Sequence, residues 1–391
     1  MIARLLLFVT VFLLVFGGAN YALYYSAIRF FNISNPLFRA YFIIALCVLS
    51  FSFFLSSFLI RLHGNILSNI YYGISAYWIG LLSNLVAACV LMWIVFGVMK
   101  LIGVESYLFA TATVVFSLAF LFSVYGVWNA TVPRTKSIEI ALKNLPSEWK
   151  GKKIIQLSDL HLGPIHRVGF LENVVKAVNA QNPDVILITG DLFDGMDGDL
   201  LPFIKPLSSF KSTYGTFFVT GNHEGYLGID TALKVLKETN ITILDDKVVN
   251  LNGLQIVGIS YPLYDQINNA EEVFASKDYD PKKPTILMYH VPMNVTHKND
   301  TLSHQQWNAY FTLDDDYSYA KEHGVDLQLS GHTHKGQLLP FNLLARLLLG
   351  KNYYGLHTYG TFNIYTTSGV GTWGPPLRTF SNSEIPVFTL R

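Results

Sequence analysis

Charge is divided so unevenly along these 391 residues that one water-soluble core cannot contain the whole chain. Residues 1–130 carry only Arg4, Arg29, Arg39, Arg61, Lys100 and Glu105 as charged side chains, and all the others lie beyond them. A stretch of that kind prefers hydrocarbon to water. Four apolar segments stand out, at about 3–25, 38–60, 74–99 and 105–127. Each is close to the roughly 20 residues that a helix needs to cross a bilayer. Tyr24, Tyr25, Tyr71, Tyr72, Tyr77, Trp78, Tyr107 and Trp128 crowd the segment ends, as in interfacial aromatic belts. A cleaved signal peptide ending near Gly17-Gly18-Ala19 accounts for the first segment alone, not for the other three. Residues 1–130 therefore read as an all-α transmembrane anchor of four helices.

No acidic or basic side chain falls at mid-depth in these segments, so the region does not by itself build an ion or proton pathway. Ser50, Ser52, Ser56 and Ser57 are expected to hydrogen-bond between helices. An even number of crossings puts the N-terminus and the rest of the chain on one side. That side carries Arg4, Arg61, Arg134 and Lys136 near the membrane, with Lys143, Lys150, Lys152 and Lys153 behind them. Arg29, Arg39 and Lys100 lie opposite, and the excess points to a cytoplasmic location.

Residues 131–136 read as a linker and 137–391 as a second domain. The domain opens on Ser137-Ile138-Glu139-Ile140-Ala141-Leu142, whose period of two is that of a half-buried strand. Later runs, including Lys153–Leu157, Val185–Ile188, Thr216–Val219, Ile286–Met288 and Val325–Leu329, read as buried strands. Amphipathic segments near 167–181, 200–212, 228–239 and 316–323 alternate with them as covering helices.

Each of those strands runs into a block of polar residues. In order they are Asp159-x-His161, Gly190-Asp191-x-x-Asp194, Gly221-Asn222-His223-Glu224, Tyr289-His290-Val291-Pro292 and Gly331-His332-x-His334. Open α/β sheets place their sites at the C-terminal ends of strands. Cleavage of a phosphate ester needs a nucleophile at neutral pH and positive charge near oxygens that grow more negative, and two divalent cations supply both. Asp191, from a middle strand, is the natural bridge between them. Asp159, His161 and His334 complete one metal, while Asn222, His290 and His332 complete the other. Carboxylate, carboxamide and imidazole without thiolate suit Mn, Fe or Zn. His223 and Asp194 remain for chemistry: the Asp194 carboxylate accepts a hydrogen bond from His223, and His223 donates a proton to the leaving oxygen.

The five blocks resemble those of the calcineurin-like metallophosphoesterases over residues 135–391. The resemblance extends to the bacterial membrane- and envelope-associated branch similar to YkuE through Gly331–Gln337 and the tail Gly369–Arg378. It implies a four-layer αββα sandwich, a dinuclear centre and attack by metal-bridging hydroxide. Lys335 departs from the branch, which often has glycine there, and is either a holder of substrate phosphate or a solvated loop lysine.

Two further segments stand out. The leucine-rich stretch 338–351 can present Leu343, Leu344, Leu347 and Leu348 on one side beside Arg346 and Lys351. It is either an interfacial helix, turning the centre toward lipid, or a helix packed on the sandwich. The insertion 297–316, with His304, Trp307, Tyr310, Phe311 and Asp314-Asp315-Asp316, reads as a cap.

The function expected is a membrane-anchored hydrolase of a phosphomonoester, phosphodiester or pyrophosphate bond, acting on a lipid-linked substrate. A pyrophosphate hydrolase of the UDP-diacylglucosamine type is one alternative. Another is a transport or regulatory membrane protein with a phosphoesterase-fold sensor domain. No basic cluster suited to nucleic acid occurs.

Overall fold

The computed structural model describes residues 2–62, 64–196, 199–262, 269–295 and 317–391, with side chains at Thr10 and from Leu14 onward. The expected cap at 297–316 lies outside the described residues. The chain forms two compact units. One comprises Met1–Trp128 with the short segments Leu338–Pro340 and Gly374–Thr379, and the other holds the remaining residues.

The first unit contains helices α1 (Ile2–Phe30), α2 (Pro36–Leu62), α3 (Ile66–Ile102) and most of α4 (Leu108–Thr131). Among the described residues, three helical stretches are long and apolar enough to cross a membrane: Pro36–Leu62, Ile66–Ile102 and Glu105–Thr131. α3 begins well before residue 74 because Asn65 caps it, its side chain accepting from the Leu67 and Ser68 amides; Gly103, at φ 71°, ends it. Hydropathy marks the apolar part of a helix, whereas caps mark its ends. Polar side chains pair between helices, as Asn20 with Ser50, Ser56 with Ser75 and Asn84 with Ser123. Ser52 and Ser57 instead bond carbonyls of their own helix. The two short segments belong to this packing, since the Ser83 hydroxyl donates to the Leu339 carbonyl and the Arg378 amide to the Gly126 carbonyl.

The second unit is built on two six-stranded sheets. The first is ordered β1 (Arg134–Ile140), β12 (Glu384–Leu390), β2 (Lys153–Leu157), β3 (Val185–Thr189), β4 (Thr216–Val219), β5 (Ile241–Ile243). The second is ordered β10 (Gly355–Tyr359), β11 (Phe362–Thr366), β9 (Leu327–Ser330), β8 (Thr285–Met288), β7 (Leu254–Gly258), β6 (Lys247–Leu251). Ile154, Leu187 and Phe217 of the first sheet share one core with Ile256, Ile286 and Leu329 of the second. β3 is buried along its whole length, which explains its unbroken apolar run. α5 (Val168–Asn179) buries Leu171, Val174 and Val178 against the first sheet in a separate core. A third core sets Val257 and Leu287 of the second sheet against Val273, Ala320 and Val325.

The linker is shorter than 131–136. β1 starts at Arg134, which pairs in parallel with Glu384, so only Val132 and Pro133 separate it from α4. The strand that orders Arg134–Lys136 comes 250 residues later, at Glu384–Pro386, and no local pattern announces it.

Candidate metal centre

β2, β3 and β4 are parallel neighbours in the first sheet, and β8 and β9 are parallel neighbours in the second. Each ends one to three residues before a ligand block. Asp159, His161, Asp191, His332 and His334 all have φ between 48° and 70°, a left-handed region that side chains enter at a cost. Backbone strain of this kind persists where surrounding structure holds it, commonly at functional sites. The block glycines leave room for their neighbours. A Cβ at Gly221 would lie 2.2 Å from Asp191 Oδ1, and one at Gly331 would lie 2.2 Å from Asp159 Oδ2.

All seven expected ligands converge. His161 Nε2 faces His334 Nε2 at 3.0 Å, and Asp159 Oδ1 lies 3.4 Å from His334 Nε2. In a second cluster the Asn222 side-chain oxygen is 3.2 Å from His290 Nε2 and 3.0 Å from His332 Nδ1. One oxygen of Asp191, Oδ2, connects the two, lying 3.1 Å from His290 Nε2 and 3.9 Å from His161 Nε2. Its other oxygen accepts the His223 amide at 2.9 Å. His290 Nδ1 donates to the Thr189 carbonyl at 2.8 Å, which fixes the tautomer and leaves Nε2 free for a cation.

His223 is placed differently from expectation in one respect. Its Nδ1 donates to the backbone carbonyl of Asp194 at 2.6 Å, not to the carboxylate. The Asp194 carboxylate turns toward His161 Nδ1, at 3.6 Å. The turn after β3 folds back so that the main chain reaches His223 first. Exposed Tyr226 and Trp373 flank the His223 ring, with centroids 5.0 and 6.4 Å away.

One residue without an assigned role holds the blocks together. The buried Glu224 carboxylate accepts the amides of Gly221 at 2.7 Å and of Asp191 and Phe193 at 3.1 Å each. It thereby ties the turn after β4 to the turn after β3. A glutamate three residues after Gly221 is the acceptor half of a capping box, a signal that was legible in the sequence. That it also caps a second strand's turn was not. Likewise buried His166 accepts the Thr372 amide at 2.9 Å, joining the loop after β2 to the tail segment.

Electrostatics test whether a cation fits. Asp159, Asp191 and Glu224 are buried, the Asp194 side chain is 8% exposed, and among the described residues none of the four pairs with a lysine or arginine. Burial, with the Asp191 charge added, pushes Asp159 up to about 6 and Glu224 up to about 7. The same causes push Asp194 well above the usual carboxylate range. Burial and the neighbouring His223 and His334 hold His161 well below an ordinary histidine. Burial works against His290⁺, yet Asp191 and then Asp159 raise it to about 9. Asp191, despite burial, is held well below its usual range by His290, His223 and His161. Buried carboxylates with no lysine or arginine partner, among imidazoles that face one another, are the donor set of divalent metal. Asp159, His161 and His334 form one such group, Asp191, His290 and His332 another, and His161, Asp194 and His223 a third.

Comparison with known proteins agrees with this chemistry. Residues 152–336 match the family model for calcineurin-like phosphoesterase. An uncharacterized metallophosphoesterase of Helicobacter pylori strain J99 is 37% identical over 266 residues, covering 66% of this chain and 64% of that protein. A zebrafish (Danio rerio) protein named transmembrane protein with metallophosphoesterase domain is 30% identical, over 69% of this chain and 60% of its own length. YkuE of Bacillus subtilis, an uncharacterized metallophosphoesterase, is 28% identical over 63% of this chain and 82% of its own. The chain thus aligns with less than two thirds of the length of the first two.

Proposed function

Because the chain belongs to the calcineurin-like metallophosphoesterase family, we propose that it is a membrane-anchored phosphoesterase with two divalent ions, cleaving a lipid-linked phosphomonoester, phosphodiester or pyrophosphate. The observation that carries the reading is the position of Asp191 Oδ2 between His161 and His290, where one carboxylate serves both ligand groups. Asp159, His161 and His334 would hold one ion and Asn222, His290 and His332 the other, with Asp191 common to both. When bound, the ions supply a water acidic enough to be a nucleophile at neutral pH and positive charge at the phosphoryl oxygens.

The remaining steps belong to side chains. His223, whose Nδ1–H is held by the Asp194 carbonyl, would as the imidazolium give its Nε2 proton to the departing oxygen and be left neutral. The Asp194 carboxylate faces His161 and orients that ring, while its main chain orients His223. Identical roles for both carboxylate and carbonyl are not needed, because one residue reaches both imidazoles.

The lipid-linked part rests on two features. Among the described residues three helices are apolar enough to cross a membrane, and α1 makes a fourth crossing in this reading. The helix α6 (Phe341–Leu349) buries no residue, and Leu343 and Leu347 are 60% and 71% exposed. An apolar face of that kind with Arg346 and Lys351 beside it suits the headgroup boundary. The αββα arrangement and the cytoplasmic side of the membrane complete the reading.

Metal-loaded protein in detergent and in sealed vesicles is the test. Wild type is expected to hydrolyse bis(p-nitrophenyl) phosphate, and Asp191→Asn to lose that activity. A panel of phospholipids and nucleotide-linked glycolipids would then identify the substrate, with Leu343→Glu/Leu347→Glu slowing turnover in vesicles more than in detergent. Full activity in Asp191→Asn would sink the dinuclear reading, and no lipid in the panel being cleaved would sink the lipid-linked one.

A further inference from the structure

Beside the metal ligands stands a second group of polar side chains that the reaction above does not use. Lys335 directly follows His334, and its Nζ sits 4.0 Å from the centroid of the Tyr354 ring. Lys136 Nζ lies 4.7 Å from the same ring and donates to the Tyr354 hydroxyl at 3.0 Å. The Tyr354 hydroxyl in turn donates to Glu384 Oε2 at 2.5 Å, and Tyr365 donates to Glu384 Oε1 at the same distance. Thr367 adds a third hydroxyl to Oε1 at 3.3 Å.

The topology sets this group at the end of the sheets where the ligands are. β12 runs antiparallel to β2, so its first residue, Glu384, lies toward the end where β2 delivers Asp159. β1 runs parallel to β12 and starts there with Arg134–Lys136. β11 runs parallel to β9 and finishes with Tyr365 and Thr366 beside Ser330. Lys335 leaves the chain about 3.8 Å from the His334 Cα, and Thr333, on the other side of His334, donates its hydroxyl to the carbonyl of Tyr353, the residue before Tyr354, at 2.6 Å.

Charge in the group does not balance. Two ammonium groups share a single buried carboxylate, Glu384, whose oxygens are already engaged by three neutral hydroxyls. Lys136 Nζ is 3.9 Å from Glu384, at the edge of an ion pair, and among the described residues no carboxylate lies within 4.0 Å of Lys335 Nζ. Lys335 also occupies a backbone position, φ 51° and ψ 30°, that glycine fills without strain and lysine fills at a cost of about 1 kcal/mol. The side chain is kept where a glycine would relax the turn.

We propose that Lys335, with Lys136 positioned by the Tyr354 hydroxyl, forms a subsite for a second phosphate group of the substrate, next to the one at the metal centre. The inference rests on the phosphoesterase reading and narrows it: the substrate class is a diphosphate, or an ester carrying another phosphate one bond away. The first phosphate lies on the metal ligands and the second against the lysines, so the bond cleaved is adjacent to a group held independently. Two ammonium donors are suited to the oxygens of a phosphate monoanion or dianion.

The experiment uses the full chain, metal-loaded in detergent at fixed free metal, with bis(p-nitrophenyl) phosphate hydrolysis as reporter. Methylphosphonate and methylenediphosphonate compete as inhibitors. In wild type the diphosphonate is expected to bind at least about tenfold more tightly than the monophosphonate, a gap set by one charge-assisted contact. Lys335→Gly, which relieves the backbone strain and so spares the fold, should reduce that gap to about threefold or less, and Lys335→Arg should largely preserve it. A gap equal in wild type and Lys335→Gly overturns the subsite, as does equal weakening of both inhibitors. Should Lys335→Gly change only the response to added phosphatidylglycerol vesicles, the lysines read a membrane headgroup instead and the proposal also falls. Failure of wild type to hydrolyse the reporter counts against the phosphoesterase reading alone; calorimetric titration of the same two phosphonates then still measures the gap.

Discussion

Gly331→Ala isolates the packing around one ligand from every other property of the centre. Gly331 has ordinary backbone angles, so alanine brings no conformational strain. Its Cβ, however, would stand 2.2 Å from Asp159 Oδ2 and 2.0 Å from Ser158 Oγ. An ordinary contact requires the carboxylate oxygen to retreat by about 1 Å or more. Asp159 cannot do so freely, because its two oxygens accept the His332 amide at 3.0 and 3.2 Å, and its own amide is held by the Gly190 carbonyl. Overpacking of this size costs about 1–3 kcal/mol of stability. Misplacing a ligand by about 1 Å costs on the order of 100-fold in turnover. The assay is calorimetric metal titration together with hydrolysis of bis(p-nitrophenyl) phosphate, with Gly169→Ala as control, since nothing lies within 4 Å of a Cβ there. Weakened metal binding in Gly331→Ala, unchanged binding in Gly169→Ala, and partial rescue of the former by excess metal are expected. Wild-type affinity in Gly331→Ala would refute the assignment of Asp159 as a ligand held by its neighbours.

Three other changes test other parts of the same arrangement. Glu224→Ala leaves the Gly221, Asp191 and Phe193 amides buried without their acceptor, a loss of about 3 kcal/mol or more; thermal unfolding of the loaded protein should fall accordingly, and an unchanged melting temperature would show the carboxylate to be dispensable. Asp159 rises from 3.8 to about 6 in the folded, metal-free protein, so its contribution to stability is present below about pH 4 and lost as pH climbs through 6, by about 3 kcal/mol at most. Stabilisation by added metal should therefore grow across that window in melting experiments, and a pH-independent increment would contradict the burial of an uncompensated carboxylate. His223→Ala should slow esters of poor leaving groups by about 100- to 10,000-fold while affecting p-nitrophenyl esters far less. Equal losses on both would show that His223 acts on phosphate charge and not on the leaving oxygen.

The candidate ligands were legible because each is a local event, a polar block at the end of an apolar run. Parallel strands buried on both faces leave continuous Val, Ile, Leu and Phe signatures such as Val185–Ile188 and Thr216–Val219, and the strand ends can be read from them without knowing the strand order. Three of the four expected spans reappear, among the described residues, as helices long and apolar enough to cross a membrane, and their extent was less legible than their presence. Asn65 and Gly103 set the limits of α3, and neither is apolar. Partners distant in sequence were not legible. Arg134 belongs to a strand only because Glu384 pairs with it.

The same limit explains the error at Asp194, and it bears on how this site is built. Spacing placed a carboxylate and an imidazole within reach, and they are within reach, yet a carbonyl of the same residue lies closer to His223. Residue spacing cannot say whether main chain or side chain arrives first; that depends on the turn after β3, and the turn is fixed by Glu224, which accepts the Asp191 and Phe193 amides from another strand's end. A carbonyl acceptor has a consequence that a carboxylate would not. It carries no net charge, so it orients His223 without placing a carboxylate against that ring, and the full carboxylate of Asp194 stays available to His161. Replacing Asp194 by asparagine keeps the carbonyl and removes only the carboxylate. The leaving-group dependence that marks His223 should survive in Asp194→Asn, while the affinity of the His161 metal group falls; loss of the leaving-group dependence would return His223 to the carboxylate.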